Sequence, residues 1–171
     1  YIRTKNKVAA MQAFKDASAG SYDKAIQEDA YFNYAKLAFD LNNDPSVFDS
    51  YISTYPSKAK GDKIYSYIAL AALYNHDYAG AVEAYDKIDV LDEDMKNNYI
   101  KANYLRADQL IEAGSYRKAV PCLKAAAYYS DKRSAFNQLS RYWLAESLYR
   151  SDDYAGAAEG YKVLYNASAL Y

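Results

Sequence analysis

One short segment recurs along this chain at a nearly constant spacing, and this repeat constrains the fold more than any other feature. The three clearest copies are NHDYAGAVEAY at 75–85, AGSYRKAVPCL at 113–123 and RSDDYAGAAEGY at 150–161. Their shared alanines, Ala81, Ala119 and Ala157, lie 38 residues apart, and weaker copies extend back through Val47 and Ala10. Periods of roughly 20–50 residues indicate an array of small stacked units.

Each copy has the side-chain spacing of an α-helix. A large residue follows the small one four positions later, at Phe14, Tyr51, Tyr85, Leu123 and Tyr161. Residues four apart share one helix face. A second helix precedes the last four copies, with its own small residue at Ala35, Ala69, Ala107 and Ala145. Because alanine on both partners lets two backbones approach closely, the sequence predicts an all-α stack of antiparallel helix pairs.

Helix-capping residues support the same division. Residue types preferred at N-caps stand four positions before each small residue, at Asn6, Asn43, Asp77, Ser115 and Asp153, with Asp44-Pro45 as an alternative start in the second unit. Gly114 suits the positive φ of a helix end. The predicted layout has the end of a helix at 1–4 and helices at 6–18, 23–42, 45–54, 61–75, 77–89, 93–113, 116–129, 132–150 and 153–168. Residues 19–25 are interpreted as a loop between pairs.

We interpret residues 1–171 as a single repeat array. The predicted pairs lie at about 1–18 (incomplete), 22–56, 60–90, 92–129 and 131–170. The chain begins with Tyr1 instead of Met, which indicates a fragment of a longer protein. The final segment, 163–171, is apolar, so either further repeats follow or the terminal repeats self-associate.

Composition argues against several classes of function. The chain has 21 basic and 22 acidic residues, and a net charge of −1 supplies no basic face for nucleic acid. The single histidine, His76, cannot form a multi-histidine metal site. The acidic residues within 86–94 lack the central glycine and closing glutamate of a calcium loop, which favours a solvated turn. No apolar run is long enough to span a membrane, and no catalytic or phosphate-binding motif is recognisable. We therefore expect no enzymatic activity, cofactor or metal.

Three residue types carry further expectations. Cys122 lies inside a predicted helix, which favours a buried and unreactive thiol. His76 lies in the turn within a pair, without an obvious partner. Tyrosine is unusually frequent, with 22 residues, and this predicts many half-buried rings with solvated hydroxyls.

The pattern resembles the tetratricopeptide repeat family. Its signature pairs a small residue in the first helix with Tyr-x-x-Ala-x-x-x-Tyr/Phe in the second, as in Ala69 with Tyr78, Ala81 and Tyr85, then Ala107 with Tyr116, Ala119 and Leu123, then Ala145 with Tyr154, Ala157 and Tyr161. The resemblance implies a right-handed superhelical solenoid of about nine to ten helices that serves as a protein-binding scaffold. The stretch 26–37, followed by Tyr55-Pro56, is similar to long envelope repeat proteins of Bacteroides-type bacteria, which implies a periplasmic or outer-membrane-associated location.

In this family the concave face comes mostly from the first helix of each pair. Carried over to this chain, the resemblance predicts a groove formed by Phe32, Lys36, Tyr104, Asp108, Tyr142, Glu146 and Tyr149. Of the basic residues that clamp a terminal carboxylate in chaperone-binding members, only Lys36 has a counterpart, which argues against such a clamp. Aromatic residues beside acidic ones suit a peptide or protein partner with apolar anchors and some positive charge.

Two alternatives stay open at this point. For any single groove tyrosine, packing between repeats is the favoured interpretation, whereas binding is favoured for the groove as a whole. The array could also be an oligomerisation or sensory module of a larger regulatory protein, and an enzyme is a more remote alternative.

Overall fold

The computed structural model describes residues 4–20, 23–55 and 58–168, and this part of the chain contains α-helices and no strand. The nine helices are α1 (Thr4–Ser18), α2 (Lys24–Asn42), α3 (Ser46–Thr54), α4 (Lys58–Tyr74), α5 (Tyr78–Asp86), α6 (Glu93–Glu112), α7 (Tyr116–Tyr129), α8 (Ala135–Tyr149) and α9 (Tyr154–Ser168). The all-α prediction is therefore confirmed. None of the described helices combines the length and the apolar character needed to cross a membrane.

Two predicted helix boundaries near the start of the chain are wrong. Helix α1 runs without interruption from Thr4, so Asn6 lies inside a helix and caps nothing. Asn43 ends α2 in the left-handed conformation and is not the cap of α3. The carboxylate of Asp44 instead accepts a hydrogen bond from the backbone N–H of Ser46, the first residue of α3. This is close to the alternative start that Asp44-Pro45 predicted.

The turns inside the last three pairs repeat with the period of the sequence. Each contains a residue with positive φ, at His76, Gly114 and Asp152, spaced 38 residues apart. The next residue directly precedes the first residue of the second helix. Asp77 accepts from the N–H of Gly80 at 3.0 Å, and Asp153 accepts from the N–H of Gly156 at 2.9 Å. Ser115 occupies the same position without a side-chain capping bond. The three predicted starts are confirmed, although only the two aspartates act as side-chain caps.

The chain divides into two compact units, residues 1–64 and 65–171. In the first unit α2 packs against both α1 and α3. Its core contains Phe48 and Tyr51, which are fully buried. The Tyr51 hydroxyl donates to Glu28 at 2.8 Å, and Lys60 forms an ion pair with the same carboxylate at 3.4 Å. Tyr51 is therefore fully buried with a satisfied hydroxyl, an exception to the half-buried rings that the sequence predicts for many tyrosines.

In the second unit, consecutive helices from α5 to α9 pack against one another. The alanines that define the repeat are buried at their predicted positions: Ala69, Ala107 and Ala145 in the first helices, and Ala81, Ala119 and Ala157 in the second. Ala69 and Ala81 belong to one hydrophobic cluster, and Ala107 and Ala119 belong to another. The predicted burial of the repeat alanines is thereby confirmed, and two of the pairs place both of their alanines in one cluster.

Candidate functional site

One exposed aromatic surface of the second unit lies where α6 and α8 contact each other. The Tyr104 ring of α6 packs edge-on against Phe136 of α8, with 5.0 Å between ring centroids. Burial, together with the charge of Asp108, raises the pKa of Tyr104, and the neighbouring indole N–H of Trp143 partly offsets this rise. These contacts fix the spacing between two first helices of neighbouring pairs.

Helix α8 presents three large apolar side chains to solvent beside this contact. Phe136, Leu139 and Tyr142 are 42%, 47% and 45% exposed. They are spaced three residues apart, so they follow one side of the helix. We call the surface formed by Tyr104, Asp108, Phe136, Leu139, Tyr142 and Glu146 the α6–α8 face. Half-exposed rings held by their neighbours are the kind of anchor that protein interfaces use.

The two carboxylates of the α6–α8 face differ in availability. Glu146 is only 18% exposed and accepts from the Tyr161 hydroxyl at 2.6 Å and from Arg150 Nε at 2.7 Å. The bond from Tyr161, followed by that from Arg150, lowers the pKa of Glu146. Asp108 is exposed, and within the described residues it has neither a hydrogen bond nor an ion pair. Asp108 is therefore the carboxylate free to contact a partner, whereas Glu146 serves the local structure.

Tyr149, another predicted groove residue, lies at the carboxyl end of α8. Its ring packs against Tyr154, the first residue of α9, with 5.5 Å between centroids. The Tyr154 hydroxyl in turn donates to Asp152 in the turn between the two helices. Tyr149 therefore contacts the turn of its own pair, while Tyr142 contacts Trp143 within the face.

The remaining predicted groove residues, Phe32 and Lys36, belong to the first unit. Phe32 is half-buried, with 5.7 Å between its ring centroid and that of Tyr51 and with Lys60 Nζ 6.0 Å above it. Lys36 is also half-buried. For Phe32 these contacts favour the packing interpretation. Tyr104 and Asp108 of α6 and Tyr142 and Glu146 of α8 thus belong to the second unit, whereas Phe32 and Lys36 belong to the first.

A cleft of about 230 Å³ lies between α4 and α6 in the second unit. Its lining residues are Leu70, Leu73, Tyr74, His76, Tyr78, Asn98, Lys101 and Leu105. Leu70 and Leu73 come from α4, a first helix like α6 and α8. Lys101 is exposed and lies on the side of α6 that also carries Asp108.

The residues that could in principle bind a metal or act in catalysis make contacts that serve the fold. Within the described part of the chain no group of three or more His, Cys, Asp or Glu side chains could hold a metal ion. Burial raises the pKa of the half-buried Cys122 thiol, which keeps it protonated at neutral pH. His76 Nδ1 lies 2.9 Å from the Tyr78 hydroxyl, so the expectation that it lacks a partner is wrong. Asp92, from the acidic segment, caps α6 by accepting from the N–H of Met95.

No protein-family model matches this chain, and the curated proteins contain no match. The assignment of function therefore depends on the residues and contacts described above.

Sequence reasoning missed Phe136 and Leu139, two of the exposed apolar side chains of the α6–α8 face. The family resemblance pointed to Tyr104 and Tyr142 instead. A helical projection of α8 could have found Phe136 and Leu139, because residues 136, 139 and 142 are spaced three apart along one side of the helix.

Proposed function

We propose that this chain is a tetratricopeptide-type scaffold whose α6–α8 face binds a peptide or protein partner. The observation that carries the proposal is the row of half-exposed apolar side chains on α8, held against Tyr104 beside an unpaired carboxylate. Such a row costs solvation free energy unless a partner covers it. Support also comes from the 38-residue period and from the buried alanines, which resemble the close helix crossings of that family.

The proposal includes a solenoid arrangement in which first helices line a concave groove. The contacts of Tyr104 with Phe136 and Trp143 support it for α6 and α8, since both are first helices. A location in the bacterial cell envelope remains a prediction from the resemblance of the stretch 26–37.

The experiment is a selection from a random twelve-residue peptide library displayed on phage, with the purified chain immobilised. Enriched peptides are then titrated against the wild type and against the groove variant Phe136→Ser plus Tyr142→Ser. The matched control is Tyr128→Ser plus Tyr165→Ser, two highly exposed tyrosines of the second helices α7 and α9. All three proteins are melted, so that loss of binding is separated from loss of folding.

We expect the groove variant to weaken binding about ten-fold or more, because anchors of this type contribute about 2 kcal/mol each. The control should bind as the wild type does. Equal binding by the groove variant, or failure to enrich any peptide, would contradict the proposed function.

A further inference from the structure

The cleft between α4 and α6 has the size and lining of a subsite for one side chain. Its walls are mainly apolar, from Leu70, Leu73 and Leu105 and the rings of Tyr74 and Tyr78, and the polar residues His76, Asn98 and Lys101 complete the lining. A volume of about 230 Å³ is below the range of roughly 300–1,000 Å³ that small-molecule and cofactor sites occupy. One bulky apolar side chain of a partner would fill it. Tyr74 is 83% exposed and forms the outer lip.

The exposed side of α6 is positively charged near the cleft and negatively charged further along the helix. Among the described residues that line the cleft, Lys101 carries a positive charge. Asp108 lies seven positions further on, which is two helix turns, about 10 Å along the same side. Glu112, one turn beyond, is also exposed. Within the described residues Lys101 and Asp108 have no hydrogen bond or ion pair, so both charges are available to a partner.

We propose that the partner is an extended peptide segment that places a bulky apolar side chain in this cleft. An acidic residue next to the apolar one contacts Lys101, and a basic residue three positions from the acidic one contacts Asp108. The spacing follows from geometry, because a peptide extended in the polyproline II conformation has three residues per turn and advances about 3.1 Å per residue, so residues three apart lie about 9 Å apart on the same side. This inference rests on the proposed function and specifies the chemistry of the partner.

The test uses the same phage-displayed twelve-residue library and two charge-reversed proteins, Lys101→Glu and Asp108→Lys. Tyr74→Ser removes the lip of the cleft, and Lys124→Glu on the second helix α7 matches the charge change of Lys101→Glu. All four residues are exposed, and exposed substitutions change folding stability little. Peptides enriched on the wild type are titrated against each variant by fluorescence polarisation.

We expect enriched peptides to pair an apolar residue with an adjacent acidic one, and to carry a basic residue three positions from the acidic one. Lys101→Glu and Asp108→Lys should each weaken binding about three-fold or more, as loss of an exposed ion pair does. Tyr74→Ser should weaken it by a similar factor, and Lys124→Glu should leave it unchanged.

Two results would overturn the inference in different ways. Peptides that lose affinity for the Phe136→Ser plus Tyr142→Ser protein but ignore Lys101→Glu and Tyr74→Ser would reject the cleft subsite and leave the proposed function intact. A library that yields no enriched peptide would reject both together.

Discussion

Gly160 and Ala145 meet where α9 crosses α8. A Cβ atom built on Gly160 would lie only 3.0 Å from the Cβ of Ala145. Ala145 itself is fully buried. The two helices of the last pair therefore approach as closely as a glycine opposite an alanine allows, and the crossing has no space for a larger side chain.

We predict that Ala145→Leu destabilises the protein by about 1–3 kcal/mol, because the added side chain overpacks this crossing. Ala107→Leu, at the fully buried equivalent position of the preceding pair, should behave alike. Urea denaturation followed by circular dichroism measures both. Ala158→Leu on the exposed side of α9 is the control and should change the free energy of unfolding little. Wild-type stability for both buried variants would show that the crossing is looser than described.

Asn137 joins the start of α8 to the end of α7 through a buried amide. Its Nδ2 donates to the Ala127 carbonyl at 2.7 Å and to Ser130 Oγ at 3.0 Å. We predict that Asn137→Leu costs about 1–3 kcal/mol, since it leaves the buried Ala127 carbonyl without this partner. The neighbouring Gln138 is exposed, and Gln138→Leu is the matched control. Equal thermal midpoints for the two variants would argue against the role of the amide.

Two glycines test whether backbone conformation or available space determines how a glycine-to-alanine substitution changes stability. A Cβ would meet nothing within 4 Å at either Gly114 or Gly61, but only Gly114 has a positive φ, of +70°. We predict that Gly114→Ala destabilises by about 1 kcal/mol. Gly61→Ala, inside α4, should stabilise by about 0.5–1 kcal/mol, because alanine favours the helix. Chemical denaturation of both variants measures the two signs, and the same sign for both would refute the explanation.

The carboxylate of Glu146 should make stability depend on pH. Hydrogen bonds from Tyr161 and Arg150 lower its pKa in the folded protein. A lowered folded pKa stabilises the protein above the unfolded pKa, and this contribution is lost as the pH falls through the folded value. We predict that the difference in melting temperature between wild type and Glu146→Gln is largest near pH 7 and disappears towards pH 3. Glu159→Gln, on an exposed residue of α9, is the control. A difference independent of pH would contradict this account.

Much of the fold could be predicted from the sequence, because the repeat places alanines where two helices cross. The three capping positions at Asp77, Ser115 and Asp153 followed from the same period. The prediction failed at Asn6 and Asn43, where the repeat is weakest and residue type alone suggested a cap. Whether an asparagine starts or ends a helix depends on backbone conformation, and Asn43 adopts the left-handed one.

The site was less predictable than the fold. The family resemblance placed Tyr104, Asp108 and Tyr142 on first helices, but it could not show that Tyr161 of α9 holds Glu146 of α8. That contact joins residues of two different helices. The exposure of the apolar row on α8 also depends on tertiary packing, because neighbouring helices determine which side of α8 stays uncovered.

Mapping a bound peptide by NMR tests the central claim most directly. A peptide enriched by the library is titrated into ¹⁵N-labelled protein, and backbone amide shifts are followed. The account predicts that the largest shifts occur in α6 and α8, around Tyr104, Asp108, Phe136 and Tyr142. Shifts concentrated instead in the second helices, within Tyr116–Tyr129 and Tyr154–Ser168, would contradict it.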